Sequence, residues 1–254
     1  LDRRKRFLSQ AFAALDSAGD FPVQFADLGE TSIAWSGAPA TPISIQREGP
    51  DSVFVMGSLG HSYYASLSVQ ENGAVTLGTD VLGLFPLYYH SGPDALLFST
   101  TAAVFKHYPG FDVRLSIEGL VGILLTNFIV GGQTLLQGVK RLSPGHALRW
   151  DKSSGVREIK SEFIELSDRY FGNSFEKNAE IIDGLFTSII EKNAGSEVMT
   201  LLSGGLDSRF MAGYLSKVHG RRVRAVTQGN PDDFETQCAV KVARRLGWEH
   251  AIYD

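Results

Sequence analysis

Val198-Met199-Thr200-Leu201-Leu202-Ser203-Gly204-Gly205-Leu206-Asp207-Ser208 joins an apolar run to a hydroxyl-bearing glycine turn, and a helical pattern follows directly. A strand, a glycine turn and a helix start are the parts from which proteins build anion pockets. Glycine lets the backbone approach a ligand closely and tolerates positive φ. The first N–H groups of a helix have no partner inside the helix, and they point into one concavity with the positive end of the helix dipole behind them. Ser203 and Ser208 add hydroxyl donors, and Asp207 is a carboxylate placed to hold Mg²⁺ beside a phosphate. The plainer alternative is a simple turn with Asp207 or Ser208 as helix cap. The spacing is not that of a P-loop, since no Gly-Lys-Ser/Thr follows, and it is not G-x-G-x-x-G.

Working outward, the period of the sequence changes near residue 179. Ala179–Asn193 reads as a helix with Ile181, Ile182, Leu185, Ile189 and Ile190 apolar. Then come a strand at 197–202, a helix at 207–219 closed by Gly220, a strand at 223–228, a helix at 234–246 closed by Gly247, and a strand at 248–253. Strands alternating with glycine-ended helices predict βαβ units and a parallel sheet. Before this lies a polar, irregular stretch, 161–178, read as a linker.

The first 160 residues read differently. Residues 3–18 form an amphipathic helix with Phe7, Leu8, Phe12 and Leu15 on one face, ended by Gly19. Short β-runs follow at Thr31–Trp35, Ser52–Met56, Tyr63–Val69, Ala74–Leu77, Leu87–His90 and Ala95–Ser99. Asn72-Gly73 signals a two-residue hairpin turn, and a second hairpin is expected around Asp151–Gly155. Residues 116–130 interrupt the strands with a helix ended by Gly131-Gly132; its apolar run Leu120–Val130 is expected to be buried.

Bulk properties narrow the classes. With 254 residues, 43% hydrophobic and 20% charged, the chain is an ordinary globular protein of one large or two small domains. A net charge of −4 argues against general nucleic-acid binding. Arg3-Arg4-Lys5-Arg6 reads as a solvated helix face. No run reaches transmembrane length. A single cysteine, Cys238, precludes a disulfide framework and suits the cytoplasm; mid-helix, it reads as a packed small hydrophobe. Six scattered histidines offer no metal-ligand spacing. The chain lacks an initiating Met and stops at the third strand of a small sheet, so a fragment of a larger protein is expected.

The Ser203–Ser208 string resembles the pyrophosphate loop of the N-type ATP pyrophosphatases. Three further elements narrow the resemblance. Gly78-Thr79-Asp80-Val81-Leu82-Gly83-Leu84-Phe85-Pro86-Leu87-Tyr88-Tyr89 is similar to the D-x-x-G-x-x-P-L-Y-Y element of the asparagine synthetase family. Gly138-Val139-Lys140-Arg141-Leu142-Ser143-Pro144-Gly145-His146 is similar to that family's G-V-x-x-L-x-P-G-H. Glu235, Ala239, Ala243, Leu246-Gly247 and His250 fit its later helix and strand. Read individually, Asp80, Gly83 and Pro86 could simply shape a tight turn. His146 and His250 could be ordinary exposed or core histidines. Glu235 could serve the helix dipole or stand near the nucleotide.

The resemblance implies a fold with an N-terminal-nucleophile-like antiparallel β sandwich with helices over residues 1–160. A linker at 161–178 and the start of a parallel-sheet ATP pyrophosphatase domain at 179–254 follow. It implies an ATP-dependent ligase in which ATP adenylates a carboxylate and an amine or ammonia displaces AMP to give an amide. Ser203, Gly204, Gly205, Leu206, Asp207 and Ser208 would hold pyrophosphate, Asp207 would ligate Mg²⁺, and Leu201 and Val226 would frame the adenosine. The implied partners are ATP and a small-molecule or peptide carboxylate, with no nucleic acid or membrane, and a homodimer is compatible. Acyl and amine determinants would lie beyond Asp254, so this piece alone is expected to be inactive in ligation.

The family's first domain hydrolyses glutamine with an N-terminal cysteine, an arginine on an early loop, and an Asn-Gly pair that holds the oxyanion. Here Val53–His61 aligns with the strand ending in Asn-Gly, so Met56 stands at the amide position, and Ile33–Ser36 offers no arginine. No glutaminase activity is expected. Arg209 departs from the small hydroxyl residue usual after the motif. It could reach a phosphate or a carboxylate, or point away along its helix. A second expectation, of a different class, is a catalytically silent homologue acting as an interaction or scaffold module.

Overall fold

The computed structural model describes residues 3–14, 22–37, 43–48, 51–58, 63–92, 95–193, 195 and 197–253. They form two compact units, Leu1–Glu165 and Leu166–Asp254. The division falls inside the stretch read as a linker.

The first unit opens with α1 (Arg3–Ala13), whose Phe7 meets Tyr108 edge-on at 5.1 Å. The expected continuation through Leu15 to Gly19 lies outside the described residues. Then come β1 (Gln24–Leu28), β2 (Thr31–Trp35), β3 (Ile43–Glu48), β4 (Asp51–Ser58), β5 (Tyr63–Val69), β6 (Val75–Thr79), β7 (Tyr88–Ser91) and β8 (Leu96–Ser99). A 3₁₀ turn, Ala102–His107, and α2 (Ile117–Thr126) lead to β9 (Lys140–Arg141), β10 (His146–Asp151) and β11 (Gly155–Lys160). The main sheet is six-stranded and antiparallel, in the order β11-β10-β6-β5-β4-β3. A three-stranded sheet, β8-β7-β9, and the β1–β2 hairpin share one apolar cluster with it, centred on Leu67, Leu77, Tyr89 and Leu148.

Besides the two-residue β9, two strands have no counterpart among those expected from sequence. Gln24–Leu28 has no β-branched residue, and Ile43–Glu48 ends in three polar or charged ones. Both form because a neighbouring strand is there to pair with, which local propensity does not register. The Asn72-Gly73 turn is longer than expected. Gly73 takes φ +80°, Asn72 Oδ1 accepts the Ala74 amide at 2.9 Å, and Val69 pairs with Val75 across five intervening residues.

Leu120–Val130 corrects an expectation. The helix stops at Thr126, capped by Asn127 in the left-handed region (φ 59°), before the two glycines expected to end it. Its apolar residues are not interior: Leu124 is 73% and Leu125 78% exposed, and Phe128 is exposed as well. An all-round apolar segment cannot bury every face when only one side meets its own unit, and here Gly119 provides that side against the Thr134 backbone.

The two sequence elements around Asp80 and Gly145 interlock. Asp80 is fully buried. Its carboxylate accepts amides from Leu82 (2.9 Å), Leu84 (3.1 and 3.2 Å), Tyr64 (3.3 Å) and Phe85 (3.5 Å). Its carbonyl accepts the Gly145 amide at 2.8 Å, and Arg141 donates to the Gly83 carbonyl at 3.2 Å. Gly145 (φ +66°) must be glycine, since a Cβ there would lie 2.4 Å from the Glu162 carbonyl oxygen. These residues shape a turn and lock it to the next segment, the plainer of the two readings open from sequence.

The second unit contains α3 (Phe175–Asn193), β12 (Val198–Leu201), α4 (Leu206–His219), β13 (Val223–Gln228), α5 (Phe234–Leu246) and β14 (Glu249–Tyr253). α3 starts four residues before its apolar period does, because the Ser174 hydroxyl accepts the Lys177 amide at 3.2 Å and caps a polar first turn. Of its expected apolar residues only Ile190 is buried. The strands are parallel, in the order β12-β13-β14, and Gly220 and Gly247 close α4 and α5 as expected. Thr200, Ala225 and Thr227 share the sheet face that packs on the helices through Ala212, Leu215, Ala239 and Ala243. Met199 and Leu201 point to the other face and are exposed. Among the described residues no helix is long and apolar enough to cross a membrane.

Candidate functional site

The carboxyl end of β12 runs into the glycine turn. Leu202 continues the ladder, its amide donating to the Val226 carbonyl at 2.8 Å, and its own carbonyl accepts the Thr227 hydroxyl at 2.5 Å. Gly204 then passes so close to α5 that a Cβ would lie 2.6 Å from the Glu235 carbonyl oxygen and 2.7 Å from Glu235 Cα. Cys238 Cβ is the third neighbour, at 3.0 Å, so Cys238 is a small packing residue under the turn. Gly205 caps α4 in extended conformation (φ −67°, ψ 159°) without any side-chain bond of its own.

Two of the amides read from sequence as open donors are engaged by the turn's own hydroxyls. The Ser203 amide donates to Ser208 Oγ and the Gly205 amide to Ser203 Oγ, both at 3.2 Å. The two hydroxyl oxygens are 2.9 Å apart, and Ser208 Oγ also lies 2.8 Å from the Ser203 carbonyl. The amides of Gly204, Leu206, Asp207 and Ser208 have no acceptor among the described residues. Four N–H groups at the turn and the head of α4 thus remain free.

Beside the turn lies a hollow of ≈ 330 Å³, lined by Ser203, Thr227, Gln228, Gly229 and the start of α5, including Asp233 and Glu235. It sits at the carboxyl ends of β12 and β13, where ligands of open α/β sheets bind. Leu201 and Val226 are register partners on these strands but do not line it; Leu201 is 78% exposed on the helix-free face. Asp207, the second residue of α4, is exposed. Among the described residues no group of three His, Cys, Asp or Glu could hold a metal ion.

Thr227, Gln228 and Asp233 went unremarked in the sequence reading. The available signal was Thr227-Gln228-Gly229 at a parallel strand's carboxyl end, with Gly229 opening the turn (φ +150°).

His250, near the start of β14, lies outside the hollow's lining but bonds to one of its residues. Its Nε2 is 2.8 Å from Thr227 Oγ1, whose proton is committed to the Leu202 carbonyl, so the imidazole donates Nε2–H. These two hydrogen bonds connect β14 and β13 to Leu202, the residue before the turn. Burial holds the His250 pKa below its ordinary 6.5. The unfolded chain therefore takes up the proton first: the contribution is full above pH 6.5 and is lost as pH falls from there through the folded-state value. Urea unfolding at pH 7.5 and 5.5 checks this, with the acid-side loss expected to be smaller in His250→Gln than in the wild type. Equal losses would refute it.

In the first unit, Met56 on β4 pairs with Ile43 and Ala65. Its thioether has no hydrogen to donate. It lines an apolar cavity of ≈ 630 Å³ with Trp35, Phe54, Phe98 and Trp150. Ile33 is buried in the core, and no arginine occurs in β2. Leu59, Gly60 and His61 lie outside the described residues.

Residues 62–161 match the glutamine amidotransferase domain family, and residues 191–254 match the asparagine synthase family. An amidotransferase-type domain followed by an ATP-pyrophosphatase-type one defines the class. Together the two matches support an assignment to the asparagine synthetase family. No curated protein matches it. Among solved structures, the NH3-dependent NAD synthetase of Campylobacter jejuni subsp. jejuni, in complex with the nitrate ion, is similar over 33% of this chain at 19% identity, with a TM-score of 0.28. The chain spans 37% of that synthetase's length.

Proposed function

We propose that this chain carries the nucleotide-binding start of an ATP-dependent carbon–nitrogen ligase of the asparagine synthetase type. A substrate carboxylate oxygen bonds to the α-phosphorus of ATP, the bond to the bridging oxygen breaks, and pyrophosphate leaves. Ammonia or an amine then attacks the acyl carbon, loses a proton, and expels AMP. The observation that carries this reading is the turn at Ser203–Ser208, with four acceptor-free amides at the head of α4 and a ≈ 330 Å³ hollow beside it. In this reading Ser203, Gly204, Gly205, Leu206 and Ser208 hold the diphosphate by backbone and hydroxyl, and Leu201 and Val226, on the strands outside the hollow, frame the adenosine. Asp207 holds the Mg²⁺ that accompanies ATP, a cation that offsets phosphate charge.

The test is substrate-dependent ATP–pyrophosphate exchange by the full-length protein over a broad panel of carboxylates. Exchange supports the ligase. Its absence across the panel favours the second reading, a silent scaffold homologue, for which the engagement of the Ser203 and Gly205 amides by hydroxyls is the supporting observation.

The first unit, in this reading, is an N-terminal-nucleophile-type domain kept for structure or docking. Losing one oxyanion donor raises a barrier by about 3 kcal/mol, and Met56 supplies none. The full-length protein is expected to release no glutamate from glutamine above the buffer rate; measurable release would overturn this part.

A further inference from the structure

We propose that Arg209 is a pyrophosphate-binding residue, its guanidinium folded over the head of α4 to grip the leaving diphosphate; this rests on the ligase reading above. The sequence left two directions open for this side chain, toward the turn or away along the helix. Its geometry selects the first. Arg209 Nε donates to the Gly205 carbonyl at 3.2 Å, the same oxygen that accepts the Arg209 amide at 3.3 Å. Pinning Nε to the cap residue bends the side chain back over the first turn.

Three consequences follow from that position. The Nη groups, which carry four of the five guanidinium hydrogens, have no acceptor and no paired carboxylate among the described residues. The charge also sits where it is least welcome, at the positive end of a helix dipole, next to the free amides of Gly204, Leu206, Asp207 and Ser208. An anion at this spot relieves both, and the planar fork fits two phosphate oxygens together. Finally, the timing suits the leaving group. When the bond from the α-phosphorus to the bridging oxygen breaks, its electron pair stays on pyrophosphate. Negative charge thus grows where a guanidinium is already in place, and such a contact strengthens toward the transition state.

Isothermal titration of the full-length protein with Mg²⁺-pyrophosphate and, separately, with AMP tests the assignment. Wild type should bind both. Arg209→Ala is expected to weaken pyrophosphate at least tenfold, to leave AMP within twofold, and to flatten the salt dependence of pyrophosphate binding. Arg209→Lys should recover part of the affinity through charge alone. Arg209→Gln, which keeps a donor for the Gly205 carbonyl and a good helix former, should retain wild-type thermal stability and still lose pyrophosphate. Pyrophosphate binding by Arg209→Ala within twofold of wild type overturns the role of Arg209 and leaves the ligase reading intact. Equal losses for AMP and pyrophosphate overturn it in favour of a packing role. A wild type that binds no pyrophosphate overturns both.

Discussion

Asp80→Ala is expected to destabilise the first unit by roughly 3–5 kcal/mol, the range for breaking a buried charged network. The carboxylate serves four amides, from Tyr64, Leu82, Leu84 and Phe85, and the residue is fully buried. Each buried donor left unpaired costs about 1–3 kcal/mol. Leu82 and Leu84 are exposed residues, so water can reach part of that turn, which keeps the total below the simple sum. Against a typical domain stability of about 5–15 kcal/mol, the loss is large. It should also spread: the Asp80 carbonyl receives Gly145, so a loosened turn releases the segment leading into β10. Asp80→Asn, which keeps one acceptor oxygen, should fall between wild type and Ala. Hydrogen exchange at Leu84, Phe85 and Gly145 together with urea midpoints would read this. A change under about 0.5 kcal/mol, the range of ordinary surface substitutions, would show that these contacts are dispensable.

Asp207→Ala should reduce ATP–pyrophosphate exchange in the full-length protein to background while leaving its unfolding unchanged. Asp207 is an exposed residue in the first turn of α4. An acidic residue there favours the helix dipole by only about 0.3–1 kcal/mol, so removing it cannot unfold the unit. In the proposed reading its role is to hold the cation that neutralises the departing charge. Gly204→Ala makes the instructive contrast. Its Cβ would meet the Glu235 backbone at 2.6–2.7 Å, which neither side can yield without moving the turn or α5. That variant should lose exchange and stability together. A displacement of about 1 Å at a reacting centre can cost on the order of 10²-fold. Exchange retained in Asp207→Ala would remove the assignment of the metal ligand.

Residues acting on near neighbours were legible before the chain was folded. The strand–turn–helix at 198–219, the glycine stops at 220 and 247, the Asp151–Gly155 hairpin and the parallel sheet all declare themselves through the pattern of successive residues. Periodicity and turn chemistry are short-range properties of the backbone. Apolar content misled at Leu124, Leu125 and Phe128, because hydrophobicity states a preference for burial and not whether a partner surface exists. Polarity hid the start of α3, since a serine cap does not register in an apolar period.

What the tertiary structure alone decided concerns partners far apart in sequence. Gly204 is required by Glu235, thirty-one positions on, and Thr227 and His250 reach the turn only after three strands align. Asp80 became a fold anchor when strand pairing brought Tyr64 beside it and the Gly145 amide onto its carbonyl. The residues of a pocket can be named from a motif. Which of its amides remain free, and which way Arg209 bends, depend on hydrogen-bond competition among groups that meet only in three dimensions.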